Sequence, residues 1–412
     1  MTPPDELRAI TEAEIGREII SLVPHWYQAE CGPQTYSIPI GGHTAYFHNH
    51  CRLTPNLQAF LAKISHRTRE LPLHHFIQLP SLIDVLLEIS AIEWLRIHSS
   101  VIDWAKLVKY LDAVARRTSE NQPVCLNLII RGRSGEGDIT EPNPQKFLDR
   151  LASSPFSYLT VDPDLHLIDY GEVEWGQIKT PTSHQFHPEF LHPLHSVLKG
   201  SDISAHLTAR GDLLIMNKAG LLAARRQRKW KLYDVQTFQS SLSYCLGNHF
   251  VGCNLFEMIF DLSFQRQGAL LVYDPQHCIR DRILNRESII FSGWKRDGEA
   301  DNRDCGQALV GSLLADTAVG KKGGVLNKRR RLVEMACADG AVVFDDHHLL
   351  SAGTLIRSHP SVGNQLGART TAGRSAYLWG AHPIKVSADG DVTVYFESRN
   401  GDNVCDAEMH FL

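Results

Sequence analysis

Apolar positions along this chain switch repeatedly between helical and extended spacing. Leu7, Ile10, Ile15, Ile19 and Leu22 fall on roughly one side of a helix over 5–22, as recurrence every three to four residues requires. Thr35 to Phe47 alternates around Gly41-Gly42 and predicts a hairpin. Leu57, Phe60, Leu61 and Ile64 return to helical spacing, and the stretches Leu82 to Leu95 and Val101 to Val114 are the clearest helices. Val124 to Ile130 is a mostly apolar run of strand length, and Arg131 to Pro144 is a glycine-rich polar loop. Residues 1–180 therefore read as an α/β domain.

The next stretch, 181–234, reads as a linker followed by a hairpin. Pro181 to Gly200 is rich in Pro and His and has no clean period. Leu213 to Met216 and Leu221 to Ala224 are apolar runs on either side of a turn at Lys218-Ala219-Gly220. Residues 235–412 form a further domain. Its helices are Val235 to Leu246 and Leu255 to Phe264, and a strand runs from Gly268 to Tyr273. A polar insertion occupies 292–327, after which Arg329-Arg330-Arg331 opens a helix leading to Asp339. The expected fold class is α/β (α+β): a C-terminal mixed sheet flanked by helices, with a separate N-terminal α/β domain.

Composition narrows the function classes. The chain has 412 residues, 43% of them hydrophobic and 21% charged, enough for two or three domains with ample cores. A net charge of -4 supplies no global field for nucleic acid or an anionic membrane. The nine cysteines are scattered, with no Cys-x-x-Cys spacing, which fits reduced thiols in a cytoplasm. Met1-Thr2-Pro3-Pro4-Asp5-Glu6 lacks the basic-then-apolar pattern of a secretion signal, and no apolar run is long enough to span a membrane.

The candidate chemistry lies near the C-terminus. Met335-Ala336-Cys337-Ala338-Asp339-Gly340-Ala341 reads as a helix ending in an acid, followed by the strand Ala341 to Phe344. Gly367-Ala368-Arg369-Thr370-Thr371 reads as a glycine-entered basic turn opening a helix, and Val386-Ser387-Ala388 ends a strand. An acid can bind ribose or metal, while an Arg and helix-start amides bind phosphate. The ordinary reading of Asp339 to Ala341 is a tight turn, and that of Arg369 to Thr371 is a Thr cap beside a solvated Arg.

Taken in order, these pieces resemble the DisA-like, diadenylate cyclase (DAC) nucleotide-binding domain. Leu255 to Ser263 and Gly268-Ala269-Leu270-Leu271-Val272-Tyr273 are similar to that family's first helix and Gly-Ala-Leu-Ile-Val strand. The resemblance covers roughly 235–400. It implies a nucleotide site of Asp339, Gly340, Ala341, Gly353, Gly367, Ala368, Arg369, Thr370, Thr371 and Ser387, with Arg374 as a second cation. The implied ligand is ATP or a cyclic dinucleotide, with Mg²⁺ or Mn²⁺ held, if at all, by Asp339.

The departures bear on catalysis. Thr370 and Thr371 stand where the family has a His and a second Arg, and Ala388 stands where cyclases have Glu. Cyclization must stabilise a triphosphate leaving group with cations and metal. No catalytic residue is therefore assigned, and the pattern is similar to the non-catalytic sensor branch labelled DACNV. That branch implies a cytoplasmic nucleotide or cyclic-dinucleotide sensor in bacterial defence or signalling, with an effector protein and a homo-oligomer as partners. An active cyclase with altered motifs and a scaffold with a vestigial pocket are the competing readings.

Other clusters read more plainly. His184, His187, His192 and His195, and likewise His43, His48, His50 and Cys51, lack a recognised zinc spacing and read as surface or hydrogen-bonded side chains. Gly306 to Ser312 has Walker-like glycines but no Lys before the Ser, which excludes a P-loop. The basic stretch Arg225 to Lys231 reads as a solvated turn, with a phosphate-facing patch as its alternative.

Overall fold

The computed structural model describes residues 14–69, 81–119, 122–141, 148, 151–174, 176, 178, 186–285, 333–346, 349–363 and 367–411. The polar insertion 292–327, the Arg329-Arg330-Arg331 helix start, Gly306 to Ser312, His184 and the first part of the 5–22 helix lie outside them. The chain divides into two compact units. Unit 1 comprises Met1–Trp26, Thr35–Phe47 and Arg52–Phe238, and unit 2 comprises Tyr27–Gln34, His48–Cys51 and Gln239–Leu412. Both are mixed α and β.

Unit 1 opens with a helix over 14–21, the described part of the helix expected over 5–22, followed by the predicted hairpin, β1 (Thr35–Ile40) and β2 (His43–His48), turning at Gly41. Helices α1 (Pro55–Arg69), α2 (Ser81–His98) and α3 (Trp104–Ala115) follow. Helix α3 shows why the pattern works. Asp103 caps it by accepting the Lys106 N–H, and Trp104, Leu107, Val108, Leu111 and Val114 form its buried stripe. A small β3–β4 pair (Thr118–Ser119, Gln122–Pro123) precedes an eight-stranded sheet.

The sheet strands are β5 (Leu126–Ile130), β6 (Glu136–Asp138), β7 (Ser157–Val161), β8 (His166–Glu172), β9 (Ile203–Leu207), β10 (Leu213–Asn217), β11 (Gly220–Arg226) and β12 (Lys229–Leu232), in spatial order β12-β11-β10-β9-β5-β7-β8-β6. Strands β5 and β7 are parallel, whereas β9 runs antiparallel to β5 and starts the β9-β10-β11-β12 meander. The segment read from sequence as a hairpin between domains thus contributes half of this sheet. Its core joins Leu126, Leu128, Leu213, Ile215 and Trp230 to Trp94 and Trp104 of the helices.

Unit 2 contains α4 (Val235–Cys245, whose first turn belongs to unit 1), α5 (His249–Gln265) and α6 (Ala368–Leu378). Its strands are β13 (Ala269–Tyr273), β14 (Ala341–Phe344), β15 (Leu349–Thr354), β16 (His382–Val386), β17 (Val392–Asn400) and β18 (Asn403–Phe411), in spatial order β15-β14-β13-β16-β17-β18. Among the described strands of this sheet only β13 and β14 are parallel. The central strand β13 is buried along its whole length. Helix α6 packs on β13, β16 and β17, and its Ala376 joins Leu270, Val272, Ala341 and Val343 in the core.

Candidate functional site

Strand register gathers the predicted residues of unit 2 at one end of its sheet. Leu270 of β13 lies opposite Ala341 of β14, so Gly268 and Gly340 precede neighbouring parallel strands. Ala269 pairs with Val386 of β16, which brings Ser387 and Ala388 to the same end. Ala341 pairs with Thr354 of β15, which brings Gly353 there as well.

The Asp339 turn is built around close backbone contact. Gly340 has φ +98°, and a Cβ on it would sit 2.4 Å from the Gly353 carbonyl carbon. Gly353 has φ +66°. Asn285 clamps this approach: its Nδ2 donates to the Gly353 carbonyl (2.8 Å), and its Oδ1 accepts the Leu355 N–H (2.6 Å). Asp339 is exposed, and its Oδ1 accepts the Gly340 N–H at 3.1 Å.

Helix α6 supplies the cationic part. Gly367, at φ +96°, is its N-cap, and among the described residues no side chain caps the helix start. The first-turn amides therefore keep their donor capacity and the dipole its positive end. Arg369 is half-buried, and its Nε is buried with no hydrogen-bond partner among the described residues. Its guanidinium lies over Gly268, where an added Cβ would come within 2.7 Å of Nη1. The charge also reaches the Asp339 segment. Burial pushes the Cys337 thiol up and Glu334 adds to this, while Arg369 opposes it.

The remaining predicted residues are more committed. Thr371 Oγ1 donates to the Gly367 carbonyl (3.3 Å), and Arg374 Nη2 pairs with Glu408 at 2.7 Å. Ser387 Oγ turns to Asp389 and the Asp391 carbonyl in the bend entering β17. Sequence reasoning missed Lys385 of β16, whose Nζ donates to Thr370 Oγ1 at 3.4 Å. It also missed the clamp Asn285 and the positioning role of Gly268. Lys385 and Asn285 belong to no local motif, Gly268 was read only as the start of a strand, and strand pairing brings all three to this end of the sheet.

At the opposite end of the same sheet a cleft of about 530 Å³ is lined by residues including Tyr244, Gln276, Tyr377, His382, Glu397 and Asp406. Two pairs of its polar side chains bond to each other: Tyr377 donates to Asp406 (2.6 Å) and Arg399 pairs with Glu397 (2.7 Å).

The other clusters have structural roles in this geometry. His187, His192 and His195 are at most 5% exposed, with ring centroids of His187 and His195 4.3 Å apart. His187 shares a bond with the Pro188 carbonyl and His195 with the Lys218 carbonyl. His187 and His195 are hydrogen-bonded, as one reading allowed, and His192 stacks on His187 with ring centroids 5.3 Å apart; all three are buried. In the second cluster His43 is exposed, His48 bonds the Ala29 carbonyl (3.1 Å), and His50 stacks on Tyr244. Arg225 lies on β11 with its side chain paired to Asp112 and Glu88 and held over Trp230, which leaves Gln227 and Arg228 as the exposed turn.

Among the described residues, Asp162, Asp164 and His166 are the one group close enough to hold a metal ion. The Asp162 carboxylate is already occupied. It accepts the N–H groups of Gly135 (3.1 Å), Asp164 (3.0 Å) and His166 (2.8 Å), and His166 Nδ1 at 3.0 Å. Burial alone would raise its pKa, but these bonds hold it below the usual carboxylate value.

No protein-family model matches the chain, and no curated protein matches it. Several solved structures are similar to part of it, among them the following two. A double mutant of DacA from Staphylococcus aureus shares 18% identity at a TM-score of 0.21, over 37% of this chain and 83% of that one. A hypothetical membrane spanning protein from Bacillus cereus shares 18% identity at a TM-score of 0.20, over 42% of this chain and 74% of that one. At these scores neither likeness carries an argument about function. No helix among the described residues is long and apolar enough to cross a membrane.

Proposed function

We propose that unit 2 is a nucleotide-binding module of the diadenylate cyclase-like kind that senses its nucleotide rather than making it. The observation that carries this reading is Arg369. Its partly buried guanidinium, with Nε lacking a hydrogen-bond partner among the described residues, stands at an uncapped helix start. That arrangement suits a phosphate, which would take the Arg fork and the first-turn amides together. Lys385 and the Thr370 hydroxyl stand beside it, and Asp339 lies at the same sheet end for a ribose hydroxyl. Mg²⁺ or Mn²⁺, where bound, would be shared between Asp339 and ligand phosphates. The ligand class is ATP or a cyclic dinucleotide.

The sensor reading rests on Thr370, Thr371 and Ala388, which leave the site short of the charges that cyclization requires. It extends to a cytoplasmic role in bacterial defence or signalling, with an effector protein and self-association as its means of output.

The test is calorimetry of the whole protein with ATP and cyclic di-AMP, alongside incubation with radiolabelled ATP and Mn²⁺. Binding without dinucleotide product is expected. Arg369→Ala should weaken binding about ten- to hundred-fold, the loss of one charge-assisted contact of roughly 1.5–3 kcal/mol. Circular dichroism should show the variant folded. A metal-dependent dinucleotide product abolished by Asp339→Ala would replace the sensor with a cyclase. Absence of binding at millimolar ligand would remove the nucleotide reading.

A further inference from the structure

Cys31 and Cys405 are separated by almost the whole chain, yet both belong to unit 2, and their sulfurs lie 3.0 Å apart. Among the described cysteines this is the one sulfur–sulfur contact. Both residues are half-exposed, within reach of small solutes.

Bonds that do not involve the thiols hold the two backbones together. Ser398 sits opposite Cys405 in the β17–β18 register. Its hydroxyl donates to the Cys31 carbonyl at 2.8 Å and shares a hydrogen bond with the Tyr27 hydroxyl at 2.9 Å. Tyr27 also packs edge-on against Phe396 of the same hairpin, with centroids 5.1 Å apart. The segment carrying Cys31 is thus anchored to the hairpin carrying Cys405. A disulfide bond is about 2.05 Å long, so bond formation needs an approach of only about 1 Å.

We propose that Cys31 and Cys405 form a reversible dithiol–disulfide pair whose reactant is a low-molecular-weight disulfide. In the first step one cysteine thiolate attacks the small disulfide, forming a mixed disulfide and releasing one small thiolate. In the second, the other cysteine thiolate displaces the second small thiolate and closes the Cys31–Cys405 bond. Two protein thiols are oxidised, one small disulfide is reduced to two thiols, and the protons pass to the released thiolates. The product pins the edge strand β18, which also supplies Glu408 to Arg374 of α6, to the Tyr27–Gln34 segment. Reduced thiols, as the scattered cysteines suggest, are the resting state of such a pair, and the disulfide is its response to an oxidising shift.

The test equilibrates the full-length protein with oxidised and reduced glutathione at several ratios, then quenches with acid and alkylates. The expected result is a linked peptide joining Cys31 to Cys405 in the mass spectrum. On a non-reducing denaturing gel the same sample should migrate faster, because the bond closes nearly the whole chain into a loop. Dithiothreitol should reverse both changes, and Cys31→Ser and Cys405→Ser should each abolish the faster band. Glutathione adducts that persist on either cysteine without the linked peptide would overturn the proposal. So would unchanged free thiols at both positions under the most oxidising ratio. The wild-type mass spectrum decides the matter even if a serine variant folds poorly.

Discussion

Arg369 and Gly268 are in direct steric dependence: a methyl group on Gly268 would meet Nη1 of Arg369 at 2.7 Å and Cζ at 3.1 Å. One residue opens helix α6 and the other precedes the central strand β13, so the guanidinium is placed by the meeting of two elements. Its position above the strand end is available because Gly268 has no side chain.

Gly268→Ala should therefore displace the guanidinium while leaving the fold intact. The crowded atoms are the far end of a flexible side chain, and the backbone of Gly268 is outside the left-handed region. Unfolding free energy should change by less than about 1 kcal/mol. Nucleotide affinity should fall several-fold, in the direction of Arg369→Ala. Calorimetry paired with urea denaturation separates the two effects. A large loss of stability, or unchanged affinity in a protein that binds nucleotide, would show that Arg369 is not positioned this way.

Gly340 and Gly367 offer a matched comparison of conformation against crowding. Both have strongly positive φ, +98° and +96°. An added Cβ at Gly367 meets nothing among the described residues, whereas at Gly340 it would overlap the Gly353 backbone. Each alanine variant should carry the backbone penalty of about 1–3 kcal/mol, and Gly340→Ala should cost clearly more. Denaturant midpoints measured on both variants check the ordering. Equal losses would mean that the turns at Gly340 and Gly353 separate readily.

Much of the architecture was legible because burial enforces period. Leu270-Leu271-Val272 and Leu213 to Met216 declare strands, and the Leu107, Val108, Leu111 and Val114 stripe declares a helix. The turn at Gly41-Gly42 was legible from glycine chemistry. Pairing between distant segments was not legible, because hydrogen bonding between strands leaves no local trace in sequence. That β9 would pair with β5, drawing the 203–232 meander into the first sheet, could not be read from either strand. The Asp339 and Arg369 segments and the Gly268 strand were visible as motifs, while Lys385, Asn285 and the approach of Arg369 to Gly268 emerge only from the pairing of distant segments. The hydrogen bonding of His187 and His195 was within the sequence reading, but the burial of His187, His192 and His195 was not legible, because a Pro- and His-rich stretch gives no periodic signal of burial.

Asp162 should behave as the organiser of a turn rather than as a metal ligand. Its carboxylate holds three backbone N–H groups and the His166 ring. Asp162→Ala leaves those donors without their acceptor, and each loss costs about 1 kcal/mol or more. A destabilisation of roughly 2–4 kcal/mol is expected from several such losses together. Chelator should leave the wild-type midpoint unchanged, and Zn²⁺, Mg²⁺ or Mn²⁺ should not raise it. Thermal unfolding in each condition is the measurement, and a metal-dependent rise lost in Asp162→Ala would reverse the assignment.

The pH dependence of unit 1 should carry the signature of histidines buried in the neutral form. Burial, with a smaller contribution from His195, lowers the pKa of His206 to about 3. Burial, aided by Lys218, lowers that of His195 to about 4. The unfolded chain binds these protons near the ordinary value of about 6.5, so below that pH it holds more protons than the folded chain. Stability is then complete above the unfolded value and falls as pH drops toward the folded values, by about 1.4 kcal/mol per pH unit for each histidine. His206 is held by Asn127 Oδ1 at 3.0 Å and Ser204 Oγ at 2.9 Å. His206→Asn keeps a donor toward Asn127 and removes the titration. Urea unfolding followed by near-ultraviolet signals at pH 7, 6 and 5 should show a shallower pH slope in the variant, reduced by roughly one proton's share, whatever its absolute stability. An unchanged slope would mean that His206 takes up its proton in the folded state and that the Asn127–His206–Ser204 chain rearranges to accept it.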